Sequence, residues 1–204
     1  MLVKILLYIK HNCLIVWRII EQLNSVLYVL LHERRVNRIS NEVFSKYKHR
    51  DFQFRIFTPN DLNSLKKLLD RQNPADLKYF NPHGFSDHEI QKTFQNPAFI
   101  MMGAFKDSDL VGYFFLRFFW NKKCFVGRLV DSKYQAKGIG KVMNDIMYNI
   151  AWGSGFRCLS TISKNNKAVM TAHAKNKTMR VLKKLENDYL LVEFVEPDKR
   201  ELNK

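Results

Sequence analysis

The chain has 204 residues, 46% of them hydrophobic and 16 of them Phe, which excludes a disordered chain and leaves ample length for one domain with an extension. Lysine and arginine exceed aspartate and glutamate by 15, a balance that favours anionic partners: nucleic acid, an acidic membrane surface or a phosphorylated ligand. Three cysteines, Cys13, Cys124 and Cys158, are far apart in sequence, and neither they nor the six histidines show metal-ligand spacing. The expectation is a reducing, cytoplasmic setting and no metal.

Residues 2–31 are rich in Leu, Ile and Val, but Lys4, Lys10, His11, Asn12, Arg18, Glu21, Gln22 and Asn24 interrupt the ~20 apolar residues that a membrane span needs. No small-residue cleavage site follows a compact apolar core, so a signal peptide is not expected. Leu2, Ile5, Leu6, Ile9, Cys13, Val16, Trp17, Ile20, Leu23, Leu27 and Leu30 fall near a 3.6-residue period, which predicts one or two amphipathic helices. Residues 1–50 carry nine basic and three acidic side chains. Two readings of this extension stand side by side: a peripheral element on the anionic inner face of a membrane, or helices that pack on the main domain or form a homodimer.

The main domain, 51–204, opens with a strand at 52–57. Thr58-Pro59-Asn60-Asp61 reads as a helix start, with Thr as cap, Pro in the first turn and an acid at the third position. Leu62, Leu65, Leu68 and Leu69 form the apolar stripe of that helix. Residues 71–85 contain Asn73-Pro74 and Asn81-Pro82-His83-Gly84 and read as a loop. Ser86-Asp87-His88-Glu89 is a second capping box, opening a short helix to about 95. Strands follow at 98–106, 110–120 and 123–130, an antiparallel meander whose middle member is apolar on both faces. A helix is expected from 139 to about 152, a strand at 156–163, a helix after Asn165-Asn166, and a hairpin of 180–185 with 189–195 around Glu186-Asn187-Asp188.

The stretch between the third strand of the meander and the helix, Val130-Asp131-Ser132-Lys133-Tyr134-Gln135-Ala136-Lys137-Gly138-Ile139-Gly140-Lys141, organises the rest. A strand, a basic glycine-bearing loop and a helix N-terminus make an anion site, because unpaired backbone N–H groups and the positive end of the helix dipole point into the loop. A P-loop is excluded because Lys141 is followed by Val142 rather than Ser or Thr. A dinucleotide fingerprint is excluded by Met143 and by the lack of an acid in the next strand.

Gln135-x-x-Gly138-x-Gly140 resembles the pyrophosphate motif of the GNAT superfamily of acyl-CoA-dependent N-acetyltransferases, and Val130-Asp131 leads into it as in that family, with Ser132 where the family has Pro. The resemblance covers about 52–197. It implies an α+β fold with a mixed, mostly antiparallel sheet flanked by helices, opened between its fourth and fifth strands, and acetyl-CoA as co-substrate. By the same resemblance, Leu129, Val130 and Ser132 lie along the pantetheine arm. The backbone N–H groups of Gln135, Ala136, Lys137, Gly138, Ile139, Gly140 and Lys141 hold the pyrophosphate. Lys137 and Lys141 either touch phosphate or form a solvated basic surface. Taking Asn166 as the start of the family's next helix motif lets Asn166 bond the pantetheine and puts His173 where the family has a tyrosine general acid; a shift of one residue puts Ala172 there instead.

The strand 123–130 has no acid where many members carry a glutamate base. His83 or His88 can serve, or a water chain, or no protein base at all. Tyr79, His83 and Asp87 are candidate acceptor contacts. Arg117 and Arg128, each in an otherwise apolar strand, need an anionic or carbonyl partner, which is a substrate phosphate or carboxylate or an internal acid. The function implied is transfer of acetyl to a small-molecule primary amine, with an amino sugar of surface-polysaccharide synthesis as the favoured acceptor and a peptide or protein amine as the rival. A non-catalytic acyl-CoA-binding module is the alternative outside the enzymes. Nucleic acid is not an expected partner, because the charges are spread and no reader motif is present.

Overall fold

The computed structural model describes residues 13–47, 49–174, 176 and 178–197. The predicted helical pattern over 2–12 lies outside these residues. Helix α1 (Leu14–Tyr28) runs through one π-helical turn, Val29–Glu33, into α2 (Arg34–Lys46). Then come β1 (Gln53–Ile56), a 3-10 turn Pro59–Asp61, α3 (Leu62–Asp70), the short α4 (Pro74–Leu77) and α5 (Asp87–Phe94). The meander is β2 (Phe99–Lys106), β3 (Asp109–Phe119) and β4 (Lys123–Val130). After it follow a 3-10 turn Ser132–Tyr134, α6 (Ile139–Gly153), β5 (Arg157–Ser163), α7 (Lys167–Ala174), β6 (Met179–Lys184) and β7 (Tyr189–Phe194). The sequence reading left 71–85 as a loop throughout; α4 forms there because Asn73 Oδ1 accepts the Ala75 N–H and Pro74 sits at the first helical position.

The sheet has seven strands in the order β1-β2-β3-β4-β5-β7-β6. Every pairing is antiparallel except β4 with β5. That parallel pairing holds only from Lys123, Cys124 and Phe125 to Arg157, Cys158 and Leu159, after which the two strands diverge. The register brings Cys124 and Cys158 side by side as buried free thiols, although they stand 34 positions apart in sequence, a spacing that no motif would join. β3 is covered on both faces, as its apolar run, interrupted within it by Arg117, predicts. On one side Leu65, Leu68 and Leu69 of α3 and Ile90 of α5 pack with Met101, Tyr113 and Phe115. On the other, α6 supplies Met143, Ile146, Met147 and Ile150 against Phe114, Phe118 and Val126.

The helix starts follow the local chemistry. Ser86 Oγ accepts the Glu89 N–H. Thr58 and Asp61 form the reciprocal capping box, and Asp61 also takes two hydrogen bonds from Arg55, at 2.6 and 2.8 Å. Arg55, then the Thr58 donors, hold the Asp61 carboxyl down at about 2, against 3.8 ordinarily. A depressed carboxylate stabilises the fold fully above the unfolded value, and that stabilisation is lost as pH falls through the folded one. Discounted for the partly exposed Arg55, the contribution is about 1–2 kcal/mol. The stability gap between the native protein and Asp61→Asn in urea unfolding is therefore expected to be near that size at pH 5.5 and to narrow as pH falls from 4 towards 2 (about the window set by the two values).

The extension shares the core of the main domain. Tyr28 stacks on Phe118 at 5.2 Å between ring centroids, and Tyr28, Val36 and Val43 are all buried with the α6 side of the sheet. Asn24 donates to Phe118 O and accepts from the Trp120 N–H, both at 3.1 Å, and Arg35 donates to Gly153 O at 2.9 Å. The packing reading thus describes the inner face of α1 and α2; the outer face of α1 is left bare.

Candidate active site

The divergence of β4 from β5 opens a cleft of about 550 Å³. At its narrow end Ser160 Oγ of β5 donates to Val126 O of β4 at 3.0 Å, one residue beyond the last strand pair. At its wide end lies the glycine loop. Between them, the β3–β4 ladder decides which main-chain groups face the opening. Asp131 N–H bonds Val111 O, so in the alternating antiparallel pattern the odd-numbered residues of β4 bond β3. The main-chain groups of Arg128 and Val130 therefore point to the open side. Those of Leu129 are spent on Tyr113, and its side chain is buried with the second core cluster. Of the three residues expected along an extended ligand, Val130 turns its main chain to the open side, Leu129 is one residue out of phase, and Ser132 is not among the cleft-lining residues.

The loop is built as an anion cradle. Asp131, buried, anchors its first turn: Oδ1 accepts the Lys133 N–H at 3.0 Å and Oδ2 accepts from Arg71 Nε at 2.6 Å. Gln135 Nε2 reaches back to Val130 O at 3.4 Å. Gly138 caps α6 with φ +79°, a left-handed backbone that side chains disfavour, and a Cβ there would meet no atom within 4 Å. Its carbonyl accepts the Lys141 and Val142 N–H groups, which leaves the N–H groups of Ile139 and Gly140 without helical partners at the positive end of the dipole. Ala136 also stands at φ +61°. Ala136→Gly should relieve that conformation and raise stability by roughly 0.5–1 kcal/mol, seen as a higher midpoint in thermal melts.

Arg128 lies beneath this cradle. Its Nε donates to Asn144 Oδ1 at 2.8 Å, which is its only side-chain hydrogen bond among the described residues. A Cβ on Gly140 would come within 2.7 Å of its Nη1, so the glycine is what lets α6 start directly over the guanidinium. Burial pushes the Arg128 guanidinium down from its ordinary value, with the nearby Tyr148 acting the other way. A half-buried cation with one neutral partner is an incomplete site for an anion. Arg117 is different: it pairs with Glu21 of α1 at 3.2 Å, so of the two alternatives its partner is an internal acid, and it does not line the cleft.

Of the other expected residues, Val130, Gln135, Ala136, Gly138, Ile139, Gly140, Lys141, Asn166 and Tyr79 line the cleft, as does the Leu129 position. Asn166 Oδ1 caps α7 by accepting the Val169 N–H at 3.1 Å, which leaves its amide N–H groups for a ligand. Ser132 and Lys137 are exposed and outside the lining; Lys137 lies over the Tyr134 ring at 4.9 Å. Asp87 and His88 are exposed on the first turn of α5, away from the lining. His83 is half-buried with both ring nitrogens engaged: Nδ1 with Gly84 O at 2.7 Å and Nε2 with the Tyr113 hydroxyl at 2.9 Å. Burial lowers its pKa, the neutral ring donates from Nδ1, and Nε2 accepts the buried tyrosine O–H. His173 belongs to the last turn of α7, beside cleft-lining Ala172, and its side chain lies outside the described residues. Sequence reasoning missed Ser160, Asn144 and Tyr148. Asn144 carried a signal, because it sits one turn after Gly140 on the same helix face; Ser160 in a β-strand carried none.

A sheet split at its one parallel pairing among the described residues, with a glycine-capped helix over the split, suits an extended ligand with an anionic end. Residues 62–176 match the Acetyltransferase (GNAT) family model, from α3 through α7. The chain belongs to this family, and it is an acetyl-CoA-dependent N-acyltransferase. No curated protein gives a significant match. Among solved structures, the PaiA N-acetyltransferase from Thermoplasma acidophilum in complex with coenzyme A is 18% identical, with a TM-score of 0.58, over 71% of this chain and 99% of that one. The ribosomal-protein-S18-alanine N-acetyltransferase from Escherichia coli is 11% identical, with a TM-score of 0.53, over 72% and 97%. An aminoglycoside acetyltransferase in complex with coenzyme A is 12% identical, with a TM-score of 0.55, over 70% and 92%. At these identities the likeness is one of fold.

The residues present suit the family's co-substrate. The unpaired N–H groups of Ile139 and Gly140, the left-handed Gly138 and the cations Lys141 and Arg128 suit a pyrophosphate, and the turned-out main chain of Arg128 and Val130 suits the amides of a pantetheine arm. Among the described residues no group of three or more His, Cys, Asp or Glu side chains is placed to hold a metal ion.

Proposed function

We propose that the acceptor is an amino sugar carried on a phosphate-bearing group, a nucleotide or a lipid, and that the reaction takes place on the cytoplasmic side of a membrane. One observation carries this reading. The described lining of the cleft holds not one aspartate or glutamate, and beside Arg128 and Lys141, which face the donor pyrophosphate, it adds Lys167. A polycationic acceptor would find no counter-charge there, whereas an acceptor with an anionic tail is not opposed. On the acceptor side Tyr79 and Phe80 offer aromatic faces to a sugar ring.

Acetyl-CoA supplies the activated acyl thioester. The protein's part is to hold and orient. The loop N–H groups and Lys141 fix the pyrophosphate. The Arg128 main-chain N–H, turned to the open side of β4, stands as a hydrogen-bond donor for a carbonyl oxygen and stabilises negative charge that develops on it. Asn166 steadies the pantetheine. His173 holds the proton that the departing sulfur takes up. With both nitrogens of His83 engaged and no carboxylate in the lining, the attacking amine loses its proton to water.

The test is an acceptor screen with acetyl-CoA, read by mass spectrometry, across free amino sugars, nucleotide-linked amino sugars, peptide N-termini and polyamines. Acetylation of the nucleotide-linked amino sugar above the others is the expected result. Turnover confined to peptides would overturn the acceptor assignment, and coenzyme A binding with no turnover on any amine would point to a binding module.

A further inference from the structure

We propose that the outer face of α1 docks on an anionic membrane surface. Ile15, Ile19, Leu23, Val26, Leu30 and Leu31 are each between 50% and 75% exposed. Ile15, Ile19, Leu23, Val26 and Leu30 recur at three and four residues, so they form one stripe along the helix, about 22 Å long at 1.5 Å per residue, with Leu31 beside its end. The opposite face of the same helix is used by the protein itself, through Tyr28, Asn24 and the Glu21–Arg117 pair. An apolar face of this size on the outside of a charged protein implies an occupant.

Charge identifies the occupant. No acidic side chain interrupts the stripe. Arg18 lies on its edge, and beyond Glu33 come the exposed Arg34 and Arg38, the latter 3.8 Å from exposed Glu42. Trp120, 52% exposed, stands at the turn between β3 and β4, fixed beside the helix by its N–H to Asn24 Oδ1 and its carbonyl against His32 Nε2 at 3.0 Å. Lys122 and Lys123 follow it and are exposed. Apolar side chains flanked by an interfacial tryptophan and by lysine and arginine match the boundary between acyl chains and anionic headgroups. A second copy of a chain with net charge +15 would bring the same cations together instead. Among the described residues no helix is long and apolar enough to cross a membrane, so the contact is peripheral. The helix meets the sheet at Phe118 and Trp120, the end of β3 opposite Gly112 and Val130, so docking leaves the glycine loop and the cleft mouth free.

The full chain is to be co-sedimented with vesicles of phosphatidylcholine alone and of phosphatidylcholine mixed with phosphatidylglycerol. Binding at least ~10-fold stronger to the anionic vesicles, weakening as salt is raised, is expected. Leu23→Glu with Leu30→Glu, both at exposed positions, should remove that binding while thermal midpoint and coenzyme A affinity stay unchanged. Vesicle binding that survives the double substitution, equal binding to both vesicle types, or a dimer in sedimentation equilibrium that the double substitution dissolves would each overturn the proposal.

Discussion

Gly138→Asp is expected to lower coenzyme A affinity by about 100-fold or more in a protein that still folds. Two separate effects add. The residue sits at φ +79°, so any side chain costs about 1–2 kcal/mol of backbone strain. The aspartate would also place negative charge among the Ile139 and Gly140 N–H groups, which we propose as the pyrophosphate site. Folding survives because a Cβ at this position has no neighbour within 4 Å. Gly138→Ala separates the two effects, since it adds the strain without the charge. Isothermal titration with coenzyme A measures both variants, and unchanged affinity in folded Gly138→Asp would remove the loop from the donor site.

Arg128→Met should split stability from binding. The guanidinium is half-buried beneath Gly140, with Asn144 as its one hydrogen-bond partner among the described residues, so replacing it with a side chain of similar length should leave the ligand-free protein as stable as before or more so. Coenzyme A affinity should fall about 10- to 100-fold, the loss expected for hydrogen bonds to a charged group. A donor lacking the nucleotide distinguishes the possible anions. If Arg128 serves the pyrophosphate, turnover with acetyl-pantetheine is nearly unchanged by the substitution. If it serves an anion on the acceptor, coenzyme A affinity holds and the acceptor KM rises. A loss of stability without either effect would make Arg128 a structural residue.

Local chemistry made most of the fold legible. The Thr58-to-Asp61 box, the Ser86 cap on the Glu89 N–H, the largely apolar β3 and the Asn166 cap each act within a few residues, and all form where the sequence predicts, although the Glu89 carboxylate takes the Ser86 hydroxyl rather than its backbone N–H. The loop was legible for the same reason: Gly138, the helix it caps and the strand before it are contiguous. What escaped depends on partners far away in the chain. Whether Leu129 or Arg128 faces the opening is a matter of register against Tyr113 and Phe114 of β3, which a single strand does not encode. The role of His83 was hidden because its hydroxyl partner, Tyr113, stands thirty positions on. The amphipathic pattern of α1 was plain, but its period could not say that the polar Asn24 and Glu21 turn inward while the leucines turn outward, an inversion set by the Phe118 carbonyl and Arg117 of β3.

The hydroxyl of Ser160, fastened to the Val126 carbonyl, gives the opening between β4 and β5 a fixed stop. The glycine-capped start of α6 is a second fixed point at the other end. A flexible arm gripped at its phosphate end and halted at the far end is gauged by the span between those two points. That interval is set by the fold itself, by one serine hydroxyl at one end and one glycine turn at the other.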